Sequence, residues 1–345
     1  MKGSLALIYG GRGLEREVSI LGADFVLPLI EKAGYGCIPV YITEDGRWSV
    51  YRRGDEFLRP DKFGVGECAG LINMGGRGGL CLGGEIIAID CAFPLLHGDF
   101  GEDGSVQGAL VTAAIPFVGE DIFTSALCLD KAACRTVSDA LSIPGAKWFS
   151  PPLGMSAPDF AKFAEQRLGY PMFLKPRYLG SSIGAGRAEC REELEGAYMY
   201  ATDNLTRQII VEEAVDIDCE LEIGVIRSKG KYIFTKTGQI KNKGGFYSFG
   251  EKYSPCSSAE LRSSFAPSVE VGEAVGNMSR ALACALSLRS LSRIDFFLDK
   301  KGKIYFNEIN TMPGFTGASL FPKMFSEMGI SPVELVDTLI CEAVS

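Results

Sequence analysis

The chain has 345 residues, 46% of them hydrophobic and 23% charged, enough to bury a sizeable core and to divide into two or three domains. A formal net charge of −8 with no Lys/Arg block argues against a nucleic-acid or membrane-surface partner, so any anionic ligand must be held by a few local cations. Eleven cysteines, an odd number without a C-x-x-C pair, suit a reducing cytosol better than a disulfide framework, and no apolar run approaches the ~18 residues of a membrane span.

The apolar run at the start is too short for a signal-peptide core and meets Gly10-Gly11-Arg12 instead of a cleavage site, so residues 5–9 read as a first strand. A glycine-rich turn, a helical pattern to about Lys32 and a second strand over 37–42 follow. This is how a doubly wound fold opens, with a loop at the carboxyl edge of its sheet. The glycine spacing is not G-x-G-x-x-G, so a nicotinamide oxidoreductase built on Gly10 and Gly13 has little behind it. Glu15 and Ser19, four apart, share a helical face if the helix has begun there; otherwise Glu15 is a first-turn acid favoured by the helix dipole. Residues 45–85 are Gly-rich and charged and read as surface hairpins and loops. Residues 86–96 read as one buried strand ending in His97-Gly-Asp-Phe-Gly-Glu-Asp-Gly104, which puts the chain's only histidine on a loop where α/β folds bind ligands. Residues 115–119 read as a short strand closing the first domain, and Thr124 as a hydroxyl cap signal for a helix carrying Lys131.

A second α+β unit follows: a helix over 159–168, then a strand over 171–175 halted by Pro176, with Lys175 at its end. Next comes Arg177-Tyr-Leu-Gly-Ser-Ser-Ile-Gly-Ala-Gly186, whose successive N–H groups can form an anion nest. A lysine beside such a loop points to polyphosphate, although the order is not that of a P-loop. After a helix over 191–200, a strand over 208–215 carries Glu212 and Glu213 near its end, and Glu220 precedes another over 221–226. Residues 236–255, with Lys241, Lys243 and Lys252, read as a long mobile loop of the length that functional lids have. A helix over 269–286 leads into a hairpin over 292–310 with its turn at Asp299-Lys-Lys-Gly302, and a terminal amphipathic helix spans 332–343. An even-numbered turn sets Asp295 opposite Phe306, with Glu308 and Asn310 on the same face. Two carboxylates and an amide converging from adjacent strands are the hard ligands Mg²⁺ prefers, and Mg²⁺ implies phosphate. Arg293, on that face too, is either an anion ligand or a structural ion-pair partner of these acids.

A lysine on a strand, a Gly/Ser loop, a strand-end glutamate pair and a hairpin with Asp, Glu and Asn together resemble the ATP-grasp fold, in which two α+β subdomains close on ATP. Glu15-Arg-Glu-Val-Ser19, His97-Gly-x-x-Gly-Glu-Asp-Gly-x-x-Gln-Gly108, Leu129-Asp-Lys131, Gly180-Ser-Ser-Ile-Gly184, Glu251-Lys-Tyr253, Arg293-Ile-Asp295 and Asn307-Glu-Ile-Asn-Thr-Met-Pro-Gly314 are similar, in that order, to the signature set of D-alanine–D-alanine ligases. The resemblance covers essentially the whole chain. It implies an N-terminal doubly wound parallel-sheet domain (1–119), a central ATP-grasp subdomain (120–211) and a C-terminal one (212–345) with a lid at about 236–256. It also implies that Lys131, Lys175 and Lys252 contact the ATP phosphates, Glu212 and Val215 the adenine edge, Glu220 the ribose and Phe297 the base. Asp295, Glu308 and Asn310 would hold two Mg²⁺ or Mn²⁺. Glu15 would bind the first D-alanine's ammonium, with His97 and Val18 nearby and Ser181 and Tyr253 joining it in a hydrogen-bonded triad. Arg293 and the Gly314 amide would hold the oxyanion, and Ser319 and Leu320 would meet the second amino acid.

The family implies a cytoplasmic enzyme of peptidoglycan precursor synthesis with D-alanine as substrate, no nucleic-acid or membrane partner, and a homodimer formed through the N-terminal domain. Three features depart from its pattern: Ala318, preceded by Gly317, where a His is usual; Phe249 where many relatives have Tyr; and the longer 45–85 segment, as in some resistance-type relatives. They keep D-alanine–D-serine ligation as the alternative. Glu251-Lys-Tyr253 argues against D-lactate, and Leu320 leans towards D-alanine. A nucleotide-binding regulator that had lost its chemistry is not expected to retain Lys175, Arg293, Glu308 and Asn310.

Overall fold

β1 (Ser4–Gly10) lies between β2 (Gly36–Ile42) and β8 (Cys91–Pro94) and runs parallel to both. Like other strands of parallel sheets it is covered on both faces: Leu5, Leu7 and Tyr9 enter one core, Ala6 and Ile8 another. The computed structural model describes residues 2–53, 56–58, 66–180, 183–206, 208–241 and 260–345. Gly10 ends β1 at φ +92°, where a Cβ would strike the Ile42 carbonyl and the Tyr41 ring, so only glycine fits the turn. Helix α1 (Arg16–Lys32) starts one residue after Glu15, whose side chain does not cap it. Ser19 is structural: its hydroxyl accepts from Gly10 N–H at 2.8 Å and donates to the Leu95 carbonyl, tying the turn to the chain after β8.

Two sequence expectations change in this unit, and a third gains a place: the hairpins expected over 45–85 belong to the first sheet. β3 (Trp48–Arg53), β5 (Glu67–Asn73), β6 (Gly78–Leu82) and β7 (Glu85–Ala88) extend the same sheet antiparallel, in the order β7-β6-β5-β3-β2-β1-β8, and β4 (Glu56–Leu58) pairs with β3. The single strand expected over 86–96 is two, because Ile87 pairs antiparallel with Leu80 while Phe93 pairs parallel with Leu7, and one straight strand cannot serve both. Residues 115–119 form only an isolated bridge, Phe117 to Ala92, since Pro116 interrupts the run of N–H donors.

After α2 (Ser105–Thr112), the helix expected from Thr124 is also two: α3 (Ile122–Leu129) and α4 (Lys131–Ala140). Their N-caps are Asp121, accepting from Thr124 N–H, and Asp130, accepting from Ala132 and Ala133 N–H, so Lys131 opens α4 instead of continuing α3. A four-stranded antiparallel sheet, β11-β10-β12-β9, comprises β9 (Trp148–Phe149), β10 (Met172–Pro176), β11 (Gly186–Ala188) and β12 (Ile209–Glu213). Its core takes Phe160 from α5 (Ala157–Glu165) and Leu194 and Tyr198 from α6 (Arg191–Asn204).

The third sheet runs β16-β15-β13-β17-β18, with β14 (Lys231–Phe234) on β13. Its strands are β13 (Ile217–Ser228), β15 (Gly238–Lys241), β16 (Glu260–Arg262), β17 (Leu291–Asp299) and β18 (Ile304–Asn310). Helix α7 (Val269–Ala285) supplies Val275 and Leu282 to the core beneath it. Part of the expected loop over 236–255 is therefore β15, and Lys243, Phe249, Lys252 and Tyr253 lie outside the described residues. The chain ends by returning to the first sheet. Phe315, Phe321 of α8 (Leu320–Ser326) and Leu335 and Leu339 of α9 (Pro332–Ala343) share a core with Leu5, Leu7, Ile30 and Phe93.

Glu120 fastens the chain after the first sheet to the start of β17. Wholly buried, it accepts from the N–H groups of Arg289 (2.7 Å) and Ser290 (3.2 Å) and from the Ser292 hydroxyl (3.2 Å), while Gly119 N–H donates to Ser290 Oγ at 2.9 Å. Burial pushes its carboxyl up to about 7, against the N–H groups, hydroxyl and Arg289 charge that favour the anion. Between the unfolded value of about 4.5 and 7, the folded chain keeps a proton that the unfolded chain has released, so the contribution present at low pH is lost as pH rises through this window. Wild type is expected to lose roughly 3 kcal/mol more than Glu120→Gln over that rise. Urea denaturation of both proteins at several pH values measures it; parallel profiles would mean that Glu120 is ionised throughout.

Candidate active site

β17 alternates strictly. Ser292, Ile294, Phe296 and Leu298 are buried beneath the sheet, and Arg293, Asp295 and Phe297 face a cavity of about 680 Å³. On one side, β13 sets Glu220 level with Phe297 and Glu222 level with Asp295; on the other, β18 sets Glu308 level with Asp295 and Asn310 level with Arg293. The expected pairing of Asp295 with Phe306 does not occur. A bulge leaves Asn307 as an extra residue, so Phe306 pairs with Phe296 and packs in the core, while Glu308 and Asn310 face the cavity. Glu222, Asp295 and Glu308 thus form a row of three carboxylates across three strands.

Arg293 supplies counter-charge to that row. Its Nε and Nη2 reach the two oxygens of Asp295 at 2.7 and 2.6 Å, and Nε lies 3.2 Å from Glu222 Oε1. Of the two sequence readings for Arg293, the ion pair is the one present. Burial works against its charge, yet Asp295 and Glu222 beside it hold the guanidinium well above its ordinary value. Asn310 Nδ2 donates to Asp295 Oδ2 at 2.9 Å. Lys131, from the first turn of α4, lies 3.6 Å from Glu308 Oε2 and donates to the Leu179 carbonyl at 2.7 Å. Lys175, from β10, is 2.6 Å from Glu212 Oε2 on β12, donates to Asn307 Oδ1 at 3.1 Å, and lies 5.6 Å from the centre of the Phe297 ring. The two antiparallel sheets therefore meet across the cavity through the Lys175–Asn307 contact, and helix α4 reaches the second of them through Lys131 and Glu308.

At the far end the first unit contributes Glu15 and His97. The Glu15 carboxylate fits against two glycines: a Cβ on Gly98 or Gly180 would lie 2.5 or 3.0 Å from its Oε2. Three motifs remote in sequence thereby touch; Ser181, next to Gly180, lies outside the described residues. His97 is buried with Nδ1 2.9 Å from the Met312 carbonyl, and its Nε2 has no hydrogen-bond partner among the described residues. Glu102 beside it accepts from Met312 N–H (2.9 Å), Gly98 N–H (3.1 Å) and the Thr311 hydroxyl (3.3 Å). Burial pushes its carboxyl up, with the Glu15 charge adding to it and His97 and the N–H groups opposing. Val18 is buried and is not among the cavity-lining residues, whereas Leu21, on the same helix, is. Val215, Glu220, Gly314, Ala318, Ser319 and Leu320 all line the cavity. Ser319 Oγ bonds to Thr316, at 2.8 Å to its hydroxyl and 3.0 Å to its N–H.

Sequence reasoning missed Glu222 and Asn307. Glu222 carried a signal, since it lies two residues beyond Glu220 and so on the same face of a strand; the bulge that exposes Asn307 carried none. Among the described residues no three or more His, Cys, Asp or Glu side chains are grouped to hold a metal. Asp295 and Glu308 with the Asn310 amide nonetheless form a set of hard oxygen donors, the chemistry that suits Mg²⁺. Because Arg293 leans on Asp295 in a largely buried setting, Asp295→Ala should lower stability by about 3 kcal/mol, and adding Arg293→Met should restore part of it. Chemical denaturation of both variants tests this; strictly additive losses would mean that the pair is not coupled.

The family model described as D-ala D-ala ligase N-terminus matches residues 4–120, and the one described as D-ala D-ala ligase C-terminus matches residues 148–341. The D-alanine--D-alanine ligase of Geobacillus thermodenitrificans is 34% identical over 99% of this chain and 96% of that protein. That of Deinococcus radiodurans is also 34% identical, over 99% and 98%. Among solved structures, D-alanyl-alanine synthetase A from Vibrio cholerae superimposes with a TM-score of 0.86 at 29% identity, over 99% of this chain and 98% of that one. The VanG D-Ala:D-Ser ligase from Enterococcus faecalis gives 0.86 at 30%, over 99% and 100%. A cavity lined by two antiparallel sheets and the carboxyl edge of a third, in a chain matched by these family models at both ends, makes this protein a member of the D-alanine–D-alanine ligase family, with the ATP-grasp fold.

Proposed function

We propose that this enzyme joins two D-alanines into D-alanyl-D-alanine for peptidoglycan precursor synthesis, cleaving ATP to ADP and passing through a D-alanyl phosphate. The observation that carries the reading is one cavity lined by Lys131, Lys175 and Arg293, by the acid row Glu222, Asp295 and Glu308, and by Glu15 from the first unit. A carboxylate is a poor acyl donor, so its oxygen must first take the terminal phosphoryl group of ATP, giving an acyl phosphate and ADP. The free amine of the second D-alanine then attacks the acyl carbon, and phosphate leaves.

Each residue has a place in that sequence. Lys131 and Lys175 would exchange their carboxylate partners for nucleotide phosphates, which Lys252 would also contact. Glu212 and Val215 would meet the adenine edge, Glu220 the ribose and Phe297 the base. Glu15 would hold the first D-alanine's ammonium, supported by Ser181 and Tyr253, with His97 and Val18 on the same side. Arg293 and the Gly314 N–H would steady the tetrahedral oxyanion, and Ser319 and Leu320 would receive the second amino acid. Asp295, Glu308 and Asn310 would hold two Mg²⁺ or Mn²⁺ ions, which when bound offset charge on the transferred phosphoryl group. The segment 236–256 would exclude water from the acyl phosphate. This reading divides the chain at about 119 and 211, and the working form would be a cytoplasmic homodimer joined through the N-terminal unit. No helix among the described residues is long and apolar enough to cross a membrane.

The second reading, D-alanine–D-serine ligation, is supported by the likeness to the Enterococcus faecalis protein and by Ala318. A competition assay with both amino acids and ATP separates them by product mass, and D-alanyl-D-alanine is the expected major product. Failure of D-alanine to drive ADP release with Mg²⁺-ATP would sink both. Arg293→Lys is expected to keep nucleotide binding but lose about 10²–10³ in kcat, because an ammonium cannot replace the planar fork. An unchanged kcat would remove Arg293 from the oxyanion role.

A further inference from the structure

Three cations address three consecutive residues at the bulge of β18. Arg135 donates from Nη1 to the Phe306 carbonyl, Lys175 donates to Asn307 Oδ1, and Lys131 approaches Glu308 Oε2. Lys131 and Arg135 are four apart at the start of α4, so one helical face grips the strand on both sides of the extra residue. Arg135 Nη2 donates to the Ala146 carbonyl, and its Nε lies 3.7 Å from Glu212 Oε1, whose other oxygen is 2.6 Å from Lys175. One carboxylate is thus shared between a cation that lines the cavity and one that does not.

Arg135 is 1% exposed and heads the fully buried side chains by volume. Burying a guanidinium is costly, and an apolar side chain would fill the same space more cheaply. The fold makes room for it: a Cβ on Gly145 would lie 2.6 Å from the guanidinium carbon, and Phe306 N–H bonds to the neighbouring Pro144 carbonyl at 2.7 Å.

We propose that Arg135 is a positioning residue for the nucleotide and phosphoryl end of the reaction. Its planar fork pins the Phe306 carbonyl and so the bulge that sets Glu308 beside Asp295. Its charge takes part of the attraction of Glu212, leaving Lys175 able to turn to a phosphate. Without it, Lys175 becomes the main partner of Glu212, and the bulge loses the anchor on its N-terminal side. Arg135 touches no substrate in this scheme. The inference rests on the ligase reading above, and its test is chosen to separate the two.

Arg135→Met, Arg135→Lys and Gly145→Ala are compared with wild type by calorimetric titration with Mg²⁺-ADP and by KM for ATP and for D-alanine. Gly145→Ala keeps Arg135 but displaces its guanidinium, so it decides the matter where Arg135→Met fails to fold. Arg135→Met and Gly145→Ala should weaken ADP binding and raise KM for ATP by about tenfold or more, the effect of losing a hydrogen bond to a charged group, while KM for D-alanine stays within about twofold. Arg135→Lys should recover part of the ADP affinity, since the charge towards Glu212 is kept. Equal changes in both KM values, or reduced stability with unaltered ADP affinity, would overturn the proposal. Wild type that binds ADP but makes no dipeptide would sink the ligase reading alone, because the ADP titrations still report on Arg135.

Discussion

Glu222, Asp295 and Glu308 stand side by side on three neighbouring strands, an arrangement carboxylates avoid unless cations lie among them. At an effective dielectric near 20, two such charges ~5 Å apart repel by about 3 kcal/mol, a sizeable part of a domain's whole stability. Arg293 between two of them and Lys131 against the third relieve that repulsion. The cations come from different parts of the fold, β17 itself and the first turn of α4, so the acid row is tolerable only when the units are assembled. The row is thus partly offset by two of the protein's own cations. A polyanion with its divalent cations would therefore exchange partners with groups already paired, taking lysines from acids and giving the acids metal.

The hairpin at the centre of this site was legible because β17 alternates without interruption and Asp299 to Gly302 carries turn chemistry. The bulge was not, because counting in twos from the turn assumes that no residue is extra. What betrays Asn307 is that Phe306 and Ile309, three apart, both lie in the core, which no regular strand allows. Asp130 was passed over as a cap because Thr124 offered a plausible one earlier, yet a carboxylate immediately before Lys131 is what ends one helix and starts the next. The hairpins of residues 45–85 were legible, but not that they join the first sheet, because their strands owe their place to its edge more than to their own propensity. Glu222 could have been placed on the face of Glu220 by its spacing, but its partner Arg293, like the Glu212 and Phe306 partners of Arg135, lies scores of residues away, and no local pattern announces those contacts. Lys175 stood out by the Gly/Ser loop that follows it and Lys131 only through the resemblance of ordered motifs, and both line the cavity.

The first unit does more than support the cavity. Glu15 reaches it because Gly98 and Gly180 have no side chains, and Gly98 can also take φ +62°. That close approach concentrates acids, with Glu102 and Glu15 near one imidazole. Burial pushes the Glu102 carboxyl up and the Glu15 charge adds to that shift, while His97 and the Gly98 and Met312 N–H groups oppose it.

The end at Ser319 and Leu320, proposed for the acceptor, is built on different physics. Leu320 packs with Ile240 and Met324, and Gly238 at the start of β15 comes so close that a Cβ there would lie 2.7 Å from the Met324 sulfur. This wall is a piece of core, fixed by the strand leading into residues 242–259, and an apolar wall alone separates a methyl from a hydroxymethyl group only weakly, by ~1–3 kcal/mol. Stronger preference for a hydroxyl would require a polar partner. The hydroxyl residues among the described cavity lining, Ser319 and Thr316, bond to each other, and Thr316 N–H also donates to Ser319 Oγ. If Ser319 and Leu320 receive the second amino acid as proposed, the methyl of D-alanine would rest on Leu320, whereas a D-serine hydroxyl would have to add a hydrogen bond to two hydroxyls that already bond to each other.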